Sequence, residues 1–186
     1  MPDLNSSLRA DAQANRDRIL EVARAAFAAD PNVSLNAIAK SAGVGAGTLY
    51  RHYPTREALV QAVYSRQIET LVELAPSLLG RHRPLAAFRI WCEQLAEFGR
   101  EKHGVSALLK SPPSDRELQD FYGPLLAAVT ELLRACENSG DIHPGVTAMD
   151  FLMLVSFLWQ IPPDTAGKVR TARLLELVFR GMKTNP

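Results

Sequence analysis

Cysteine is scarce in this sequence, and it lacks long apolar runs and a leader-like start. The two cysteines, Cys92 and Cys136, lie far apart within helical patterns, which favours reduced core thiols over a disulfide framework. The longest apolar run, Phe151 to Trp159 interrupted by Ser156, is far short of the roughly 20 residues that a membrane span needs. The N-terminus has no basic segment followed by an apolar one, as a signal peptide would. We therefore expect a cytoplasmic protein without a membrane partner.

Patterns typical of catalysis or metal binding are also missing. The four histidines are scattered, without the paired spacing of a metal site and with no serine or cysteine placed beside them as a nucleophile. The sequence therefore predicts no enzyme, no metal site and no cofactor. The histidines are His52, His82, His103 and His143.

Period-two alternation is too short anywhere to predict a strand, whereas apolar residues recur at helical spacing almost throughout. Ile19, Ala23 and Phe27, for example, mark one face of a first helix. The pattern predicts an all-α chain of roughly nine helices. They lie near 15–29, 34–42, 46–52, 55–79, 84–101, 105–110, 115–138 and 147–160, with a last helix after Asp164. Pro124 is expected to kink or restart the helix that contains it.

Acidic residues are absent between Lys40 and Arg56, although the formal net charge of the whole chain is only +1. This stretch carries three basic residues, Lys40, Arg51 and Arg56, whereas Ser111 to Asp150 carries seven acidic and two basic ones. Any surface that meets a polyanion is therefore expected in the first stretch.

Three glycines, Gly43, Gly45 and Gly47, lie in this acid-free stretch and could suggest a phosphate-binding loop. Such a loop follows a strand, and in the P-loop a Lys-Ser/Thr pair follows the glycines. Here the preceding segment is helical and no such pair follows. A helix-turn-helix accounts better for the pattern, because Gly43 can end the first helix and Val44 can fill the turn. Small residues would then let the second helix approach a duplex closely.

The segment GVGAGTLYRHYPTREAL, from Gly43 to Leu59, resembles the signature of the tetracycline-repressor (TetR) family of bacterial transcriptional regulators. The resemblance covers about residues 15–64. It implies an N-terminal three-helix DNA-binding domain at 1–60 and a C-terminal helical ligand-binding and dimerisation domain at 61–186. It also implies a repressor that binds palindromic operator DNA as a homodimer and releases it when a small molecule binds.

The resemblance assigns roles around the predicted recognition helix. Thr48 is expected at the DNA, Asn36 at the DNA backbone, and Arg56 at a phosphate near the N-terminus of the fourth helix. His52 matches a phosphate-side contact or a packing imidazole. Arg51 is the candidate for bidentate guanine recognition, its alternative being a solvated side chain. The predicted DNA-binding residues are Asn36, Gly45, Ala46, Thr48, Tyr50, Arg51, His52, Tyr53 and Arg56.

Two features leave these roles open or depart from the commonest family pattern. Tyr50 and Tyr53 match aromatics that either contact phosphate or pack. Gly45 and Ala46 stand where a hydroxyl residue and often a lysine are found, so fewer side chains can reach phosphate. We therefore expect a shallow salt dependence of DNA binding. Specificity would rest on backbone approach, on Arg51, or on an N-terminal arm with Arg9, Arg16 and Arg18.

The remaining two-thirds of the chain resembles the family only in being helical, as a ligand-binding and dimerisation domain would be. Aromatic and apolar residues there are predicted to bind an apolar or aromatic effector, although core packing is the alternative for each. They are Trp91, Leu95, Phe98, Leu108, Phe121, Leu125, Met153 and Phe157. The last two helices are apolar on more than one face, which predicts a homodimer interface. That interface is expected at Phe151, Leu154, Val155, Leu158, Leu174, Leu175, Val178 and Phe179.

Other functions remain open on the sequence alone. A helical adaptor that binds protein rather than DNA is the main alternative. Within the family, an activator or a regulator without a small-molecule ligand has the same sequence features.

Overall fold

The computed structural model describes residues 4–103, 115–162 and 164–184. These described residues form eight α-helices and one 3₁₀ helix, with no strand beyond an isolated bridge between Ile142 and Lys183. The predicted all-α class is confirmed. The helices are α1 (Leu4–Ala29), α2 (Leu35–Ser41), α3 (Ala46–His52), α4 (Arg56–Leu79), α5 (Pro84–His103), α6 (Asp115–Asn138), α7 (Ala148–Leu154), the 3₁₀ helix (Val155–Gln160) and α8 (Thr165–Met182).

The described residues up to Arg66 form one compact unit, which contains α1, α2, α3 and the first part of α4. Within it, α2 packs against both α1 and α3. One apolar face of each helix supplies the core, because residues three or four apart share a helix face. Buried side chains of this core include Ile19, Ala23, Phe27, Ile38, Leu49 and Leu59.

Capping groups set the helix ends of this unit. Ser34 Oγ accepts a hydrogen bond from the N–H of Ala37 at 3.2 Å, at the start of α2. Thr55 Oγ1 accepts one from the N–H of Ala58 at 3.1 Å, at the start of α4. Beyond α2, Gly43 has φ +67°, a left-handed conformation that glycine adopts without steric cost. The predicted end of the first motif helix at Gly43 is confirmed.

The described residues from 67 onward form a second compact unit, in which α5 contacts α6, the 3₁₀ helix and α8. The ring centre of Phe88 on α5 lies 4.8 Å from the ring centre of Phe151 and 5.4 Å from that of Phe179. Trp91 is fully buried, and its indole N–H donates to a main-chain carbonyl of α4 at 2.8 Å. Burial of a large aromatic with its polar atom satisfied fixes α5 in the core.

The helix predicted for 147–160 is divided in two. Thr147 opens it as expected, accepting a hydrogen bond from the N–H of Asp150 at 3.1 Å. However, α7 ends at Leu154 and the chain continues as the 3₁₀ helix. Residues three apart eclipse in a 3₁₀ helix, so Val155 and Leu158 share one face, and both are buried.

Two further helix predictions need correction. α1 begins at Leu4 rather than near residue 15, because its first part is polar and gives no apolar period to detect. α6 runs through Pro124 as one helix, which excludes the restart; the alternative expectation, a kink at Pro124, stays a prediction. A proline within a helix removes one hydrogen bond, and α6 retains buried apolar residues from Leu125 onward. The helix predicted at 105–110 lies outside the described residues.

Both cysteines are free and buried, as the sequence predicts. Burial raises the pKa of the Cys136 thiol to about 12 and that of Cys92 well above its usual range. Reactive thiolates are therefore suppressed at neutral pH. None of the described helices has the length and apolar character to cross a membrane.

Candidate functional site

The turn between α2 and α3 is built from main-chain hydrogen bonds. The N–H of Ala42 donates to the Ile38 carbonyl at 2.9 Å, and that of Gly43 to the Lys40 carbonyl at 3.1 Å. The N–H of Val44 donates back into α2 at 3.0 Å. A phosphate-binding loop presents free N–H groups to its ligand, whereas these donors are occupied within the protein. The turn therefore fixes the angle between two helices, as a helix-turn-helix requires.

The helix α3 is held by one side chain and open elsewhere. Of its seven residues, all of them described, only Leu49 is buried. Thr48 is half-buried, and Tyr50 is 43 % exposed. The other predicted contacts on this helix, Ala46, Arg51 and His52, are exposed. The unit thus presents the outer face of α3 to solvent as a narrow surface without acidic residues.

The glycines at the start of α3 are not required by the protein's own packing. A Cβ built on Gly47 meets no atom within 4 Å in the described part of the chain beyond its own helix backbone. A Cβ on Gly45 meets only Thr48 Oγ1, at 4.0 Å. Neither glycine has a positive φ. Glycine in a helix costs about 1 kcal/mol relative to alanine. Gly47 therefore destabilises α3, although the packing of the described residues leaves room for a larger side chain there.

Arg51 lies folded back along α3. Its Nε donates to the Gly47 carbonyl at 3.2 Å, and its guanidinium also donates to Thr48 Oγ1 at 3.2 Å. The structure therefore brings together Arg51 and Thr48, two of the predicted DNA-binding residues. The guanidinium remains exposed and can exchange these weak intrahelical bonds for an external acceptor.

Arg56, predicted to contact a phosphate, makes its contacts in this structure within its own unit. Its guanidinium donates to the main-chain carbonyls of Pro31 and Val33, in the loop between α1 and α2. It also lies 4.9 Å from the ring centre of Phe27, in cation–π geometry. The side chain is half-buried. This placement makes Arg56 a clamp between the start of α4 and the α1–α2 loop, and its phosphate contact stays a prediction.

The two tyrosines have different environments. Tyr53 is only 4 % exposed, and its hydroxyl has no hydrogen-bond partner in the part of the chain described. Tyr53 therefore packs, whereas the more exposed Tyr50 is open to an external contact. His52 is exposed with its ring centre 6.2 Å from that of Tyr53, and Asn36 is exposed on α2.

The predicted N-terminal arm is part of a helix. Arg16 and Arg18 are exposed on α1, and Arg18 donates to Asn15 Oδ1 at 2.8 Å. Arg9 lies on the same helix, although its side chain lies outside the described part. These arginines therefore line a helix surface rather than an extended segment.

Two protein-family models match the chain. The model described as bacterial regulatory proteins of the tetR family matches residues 19–63, which contain the helix-turn-helix. The model described as the C-terminal domain of SbtR-like transcriptional regulators matches residues 83–184, more than half of the chain. The chain belongs to the TetR family of transcriptional regulators. It is a DNA-binding helix-turn-helix regulator, with α2 and α3 as that motif.

Similar TetR-family proteins cover nearly the whole chain. A TetR transcription regulatory protein from Mycobacterium vanbaalenii is 32 % identical, with a TM-score of 0.75 over 95 % of this chain and 99 % of that one. The TetR regulator SCO0520 from Streptomyces coelicolor is 29 % identical, with a TM-score of 0.78 over 92 % and 99 %. The regulator UidR of Escherichia coli K12 is 26 % identical over 170 residues, 85 % of each chain.

The predicted effector-binding residues of this regulator divide into three groups. Trp91, Leu95, Phe98 and Leu125 are buried, with the first two at 0 % exposure. Phe157 is half-buried, whereas Met153 is 67 % exposed and lies outside the core. Leu108 lies outside the described residues, as does the side chain of Phe121. Met153 therefore needs correction as a pocket residue, because its side chain faces solvent in this chain.

The predicted dimer face also needs correction in its residues. Five of its predicted members are buried in their own unit, namely Phe151, Val155, Leu158, Leu175 and Phe179. Leu174 and Val178 are half-buried and Leu154 is exposed. The exposed large apolar side chains among the described residues are instead Tyr50 and five on the last α-helices. Those five, here called the outer apolar face, are Met149, Met153, Leu154, Val169 and Leu177.

Helical phase is the signal that separates the two sets. Met149 and Met153 are one turn apart on α7, and Val169 and Leu177 are two turns apart on α8. Each pair lies out of phase with the buried residues Phe151 and Leu175. Counting the apolar residues of a helix without regard to their position around its axis does not distinguish the core face from the outer apolar face.

Proposed function

We propose that this regulator is a cytoplasmic repressor that binds a palindromic operator as a homodimer and releases it on binding an apolar or aromatic small molecule. DNA contact is proposed for the first domain, residues 1–60, and effector binding and dimerisation for residues 61–186. The single observation that carries the proposal is the open outer face of α3, anchored by Leu49 and free of acidic residues.

Specificity is proposed to come from Arg51 and close backbone approach. Arg51 can exchange its bonds to Thr48 and Gly47 for the O6 and N7 acceptors of a guanine in the major groove. Thr48 Oγ1 is then free to bond a phosphate or a base edge. Asn36, Tyr50 and His52 are exposed and are proposed to contact the DNA backbone.

Few phosphate contacts follow from this arrangement. Gly45 and Ala46 carry no donor side chain, and Arg56 is engaged inside the unit. Because each phosphate contact adds roughly one unit to the slope of log K against log salt, we expect a shallow slope. A slope near −10, as repressors with many contacts have, would contradict it.

The outer apolar face is proposed as the homodimer interface. Its five side chains are each more than half exposed, and large exposed apolar side chains concentrated on α7 and α8 favour an interaction site. A twofold dimer buries the same face on both copies. It would place two recognition helices about 34–36 Å apart, one turn of B-DNA.

The effector is proposed to enter the apolar region that contains Phe98 and Leu125 on α5 and α6. Trp91 and Leu95 have no accessible surface, so a ligand reaching them must displace neighbouring side chains. Release requires the effector to prefer the DNA-free conformation. A hundredfold drop in operator affinity corresponds to a preference of about 2.7 kcal/mol.

Selection of bound sequences from a random duplex pool, at controlled salt, tests the regulator proposal. A palindromic consensus is expected, and its enrichment should disappear with Arg51→Ala. The matched control is Arg134→Ala, which removes an exposed arginine of α6 and should leave selection unchanged. No enrichment by folded protein would favour the helical adaptor instead.

A further inference from the structure

A groove of about 540 Å³ lies between α5 and α8 in the second unit. Its volume falls within the range of small-molecule sites, about 300–1,000 Å³. None of the residues predicted to bind the apolar effector lines it. The groove is a different site, with a different chemistry.

Both helices line the groove from the contact between Arg89 and Glu176 as far as Arg100 and Lys168, so its two ends can be assigned. Arg89 near the start of α5 pairs with Glu176 near the end of α8, at 2.6 Å. Arg89 also lies 4.6 Å from the ring centre of Phe179. Arg100 near the end of α5 therefore lies toward Lys168 near the start of α8. All five residues line the groove.

The Arg89 end of the groove is closed by a satisfied ion-pair network. Glu176 accepts hydrogen bonds from Arg89 at 2.6 Å and from Arg180 at 2.9 Å. These bonds hold the pKa of Glu176 down to about 2. Both carboxylate oxygens of Glu176 are therefore engaged, and the Arg89 guanidinium is held between Glu176 and the ring of Phe179.

The Arg100 end has unused donors. The Arg100 side chain is only 11 % exposed and bonds Glu97, but its Nε is buried without a hydrogen-bond partner in the described residues. A buried donor without a partner is unfavourable. Lys168 on the opposite wall is exposed and makes no ion pair with any described residue. With Glu97 counted, Arg100 and Lys168 leave this end with a net charge of +1, which favours a carboxylate.

The middle of the groove has an unused carboxylate. Glu93 is exposed and likewise forms no ion pair within the described residues. Ala96 and Ala172 on the facing walls keep the groove wide. The lining is balanced, with three cationic groups (Arg89, Arg100, Lys168) and three carboxylates (Glu93, Glu97, Glu176). A balanced lining disfavours a dianionic phosphate and favours a ligand with one charge of each sign.

We propose that the groove between α5 and α8 binds a small zwitterion, with its carboxylate at Arg100 and Lys168 and its ammonium group at Glu93. Glu93 and Arg100 are seven residues apart on α5, a rise of about 10 Å. The ligand therefore needs several bonds between its charges. This site is separate from the apolar region proposed for the releasing effector.

Calorimetric titration of the full chain without DNA tests the groove directly. The probes are 6-aminohexanoate, which carries both charges, and hexanoate and hexylamine, which carry one each. We expect 6-aminohexanoate to bind at least tenfold more tightly than either single-charge probe. Equal affinity for hexanoate, or no heat from 6-aminohexanoate at tens of millimolar, would overturn the proposal.

Variants locate the binding. Lys168→Gln and Glu93→Gln change exposed residues and should keep the fold, whereas Arg100→Gln changes a buried one. Each should weaken 6-aminohexanoate at least fivefold, while Arg170→Gln, an exposed residue of α8 outside the groove, should not. Unchanged binding in Lys168→Gln and Glu93→Gln overturns the proposal whatever the state of Arg100→Gln. Because no DNA is present, failure here leaves operator binding and its release unaffected.

Discussion

Replacing Gly47 with alanine should make the protein more stable and its operator complex weaker. Gly47 is the second residue of α3, is exposed, and offers open space for a Cβ. Alanine is favoured over glycine within a helix by about 0.5–1 kcal/mol. We expect the free energy of unfolding to rise by about that amount, a gain of roughly 1–4 °C in Tm for a chain of this size.

The loss of affinity comes from the same methyl group. If the backbone at Gly47 approaches the duplex closely, the added carbon occupies space that DNA needs. A loss of tenfold per half-site corresponds to about 1.4 kcal/mol, so a dimer on a palindrome would lose about a hundredfold. Fluorescence anisotropy of a labelled operator duplex, at one fixed salt concentration, measures this loss.

Two glycine variants serve as controls. Gly123→Ala on α6 also places a Cβ in open space, so it should leave operator affinity unchanged. In Gly167→Ala on α8 the Cβ would overlap the Pro162 carbonyl oxygen and lie 2.9 Å from Ile161 Cγ2. Such overpacking costs about 1–3 kcal/mol, so this variant should melt earlier. A stabilised Gly47→Ala protein that binds operator as tightly as the parent would refute the close-approach argument.

Three further predictions concern Arg56, the outer apolar face and Glu176. Arg56→Met should lower the free energy of unfolding by about 2 kcal/mol, since hydrogen bonds to charged groups contribute about 1.5–3. The same substitution should leave the salt dependence of operator binding unchanged. A slope of log K against log salt that is reduced by about one unit per half-site would show instead that Arg56 contacts a phosphate. Met153→Glu combined with Leu177→Glu should give a monomer in sedimentation velocity at micromolar concentration, whereas Asn138→Glu should stay dimeric. Glu176 has its pKa lowered from 4.5 to about 2, so its stabilising contribution is complete above about pH 4.5 and disappears as pH falls through 2. Glu176→Gln should flatten the dependence of Tm on pH in that window, and an unchanged profile would mean that the pairs with Arg89 and Arg180 do not stabilise the fold.

Local chemistry explains why the helix-turn-helix could be predicted from the sequence. Ser34 caps α2 by accepting a hydrogen bond from the N–H of Ala37, three residues later. Gly43 adopts the left-handed conformation that ends the helix because it has no side chain. Each of these signals depends on residues within one turn. A pattern of adjacent residues therefore contains nearly all the information that forms the motif.

Tertiary contacts explain what could not be predicted. Arg56 bonds main-chain atoms of Pro31 and Val33, which lie 25 and 23 residues earlier, and no spacing rule connects them. Met153 and Phe151 are both apolar and differ only in the side of α7 they occupy. The sequence pattern shows that this segment is apolar on several sides, but only packing decides which side is the core.

The two atoms that Arg56 bonds determine which substitutions the α1–α2 loop can accept. Both acceptors are carbonyl oxygens of the main chain, which every amino acid supplies. Substitutions at positions 31 and 33 can therefore alter the surface of the loop while the guanidinium keeps both bonds, provided that the backbone keeps its course. Arg56 has no such freedom, because its role needs two donors at a fixed angle and a flat cation over Phe27. In a collection of related sequences, variation in the loop beside an unvarying arginine is the pattern that this contact predicts.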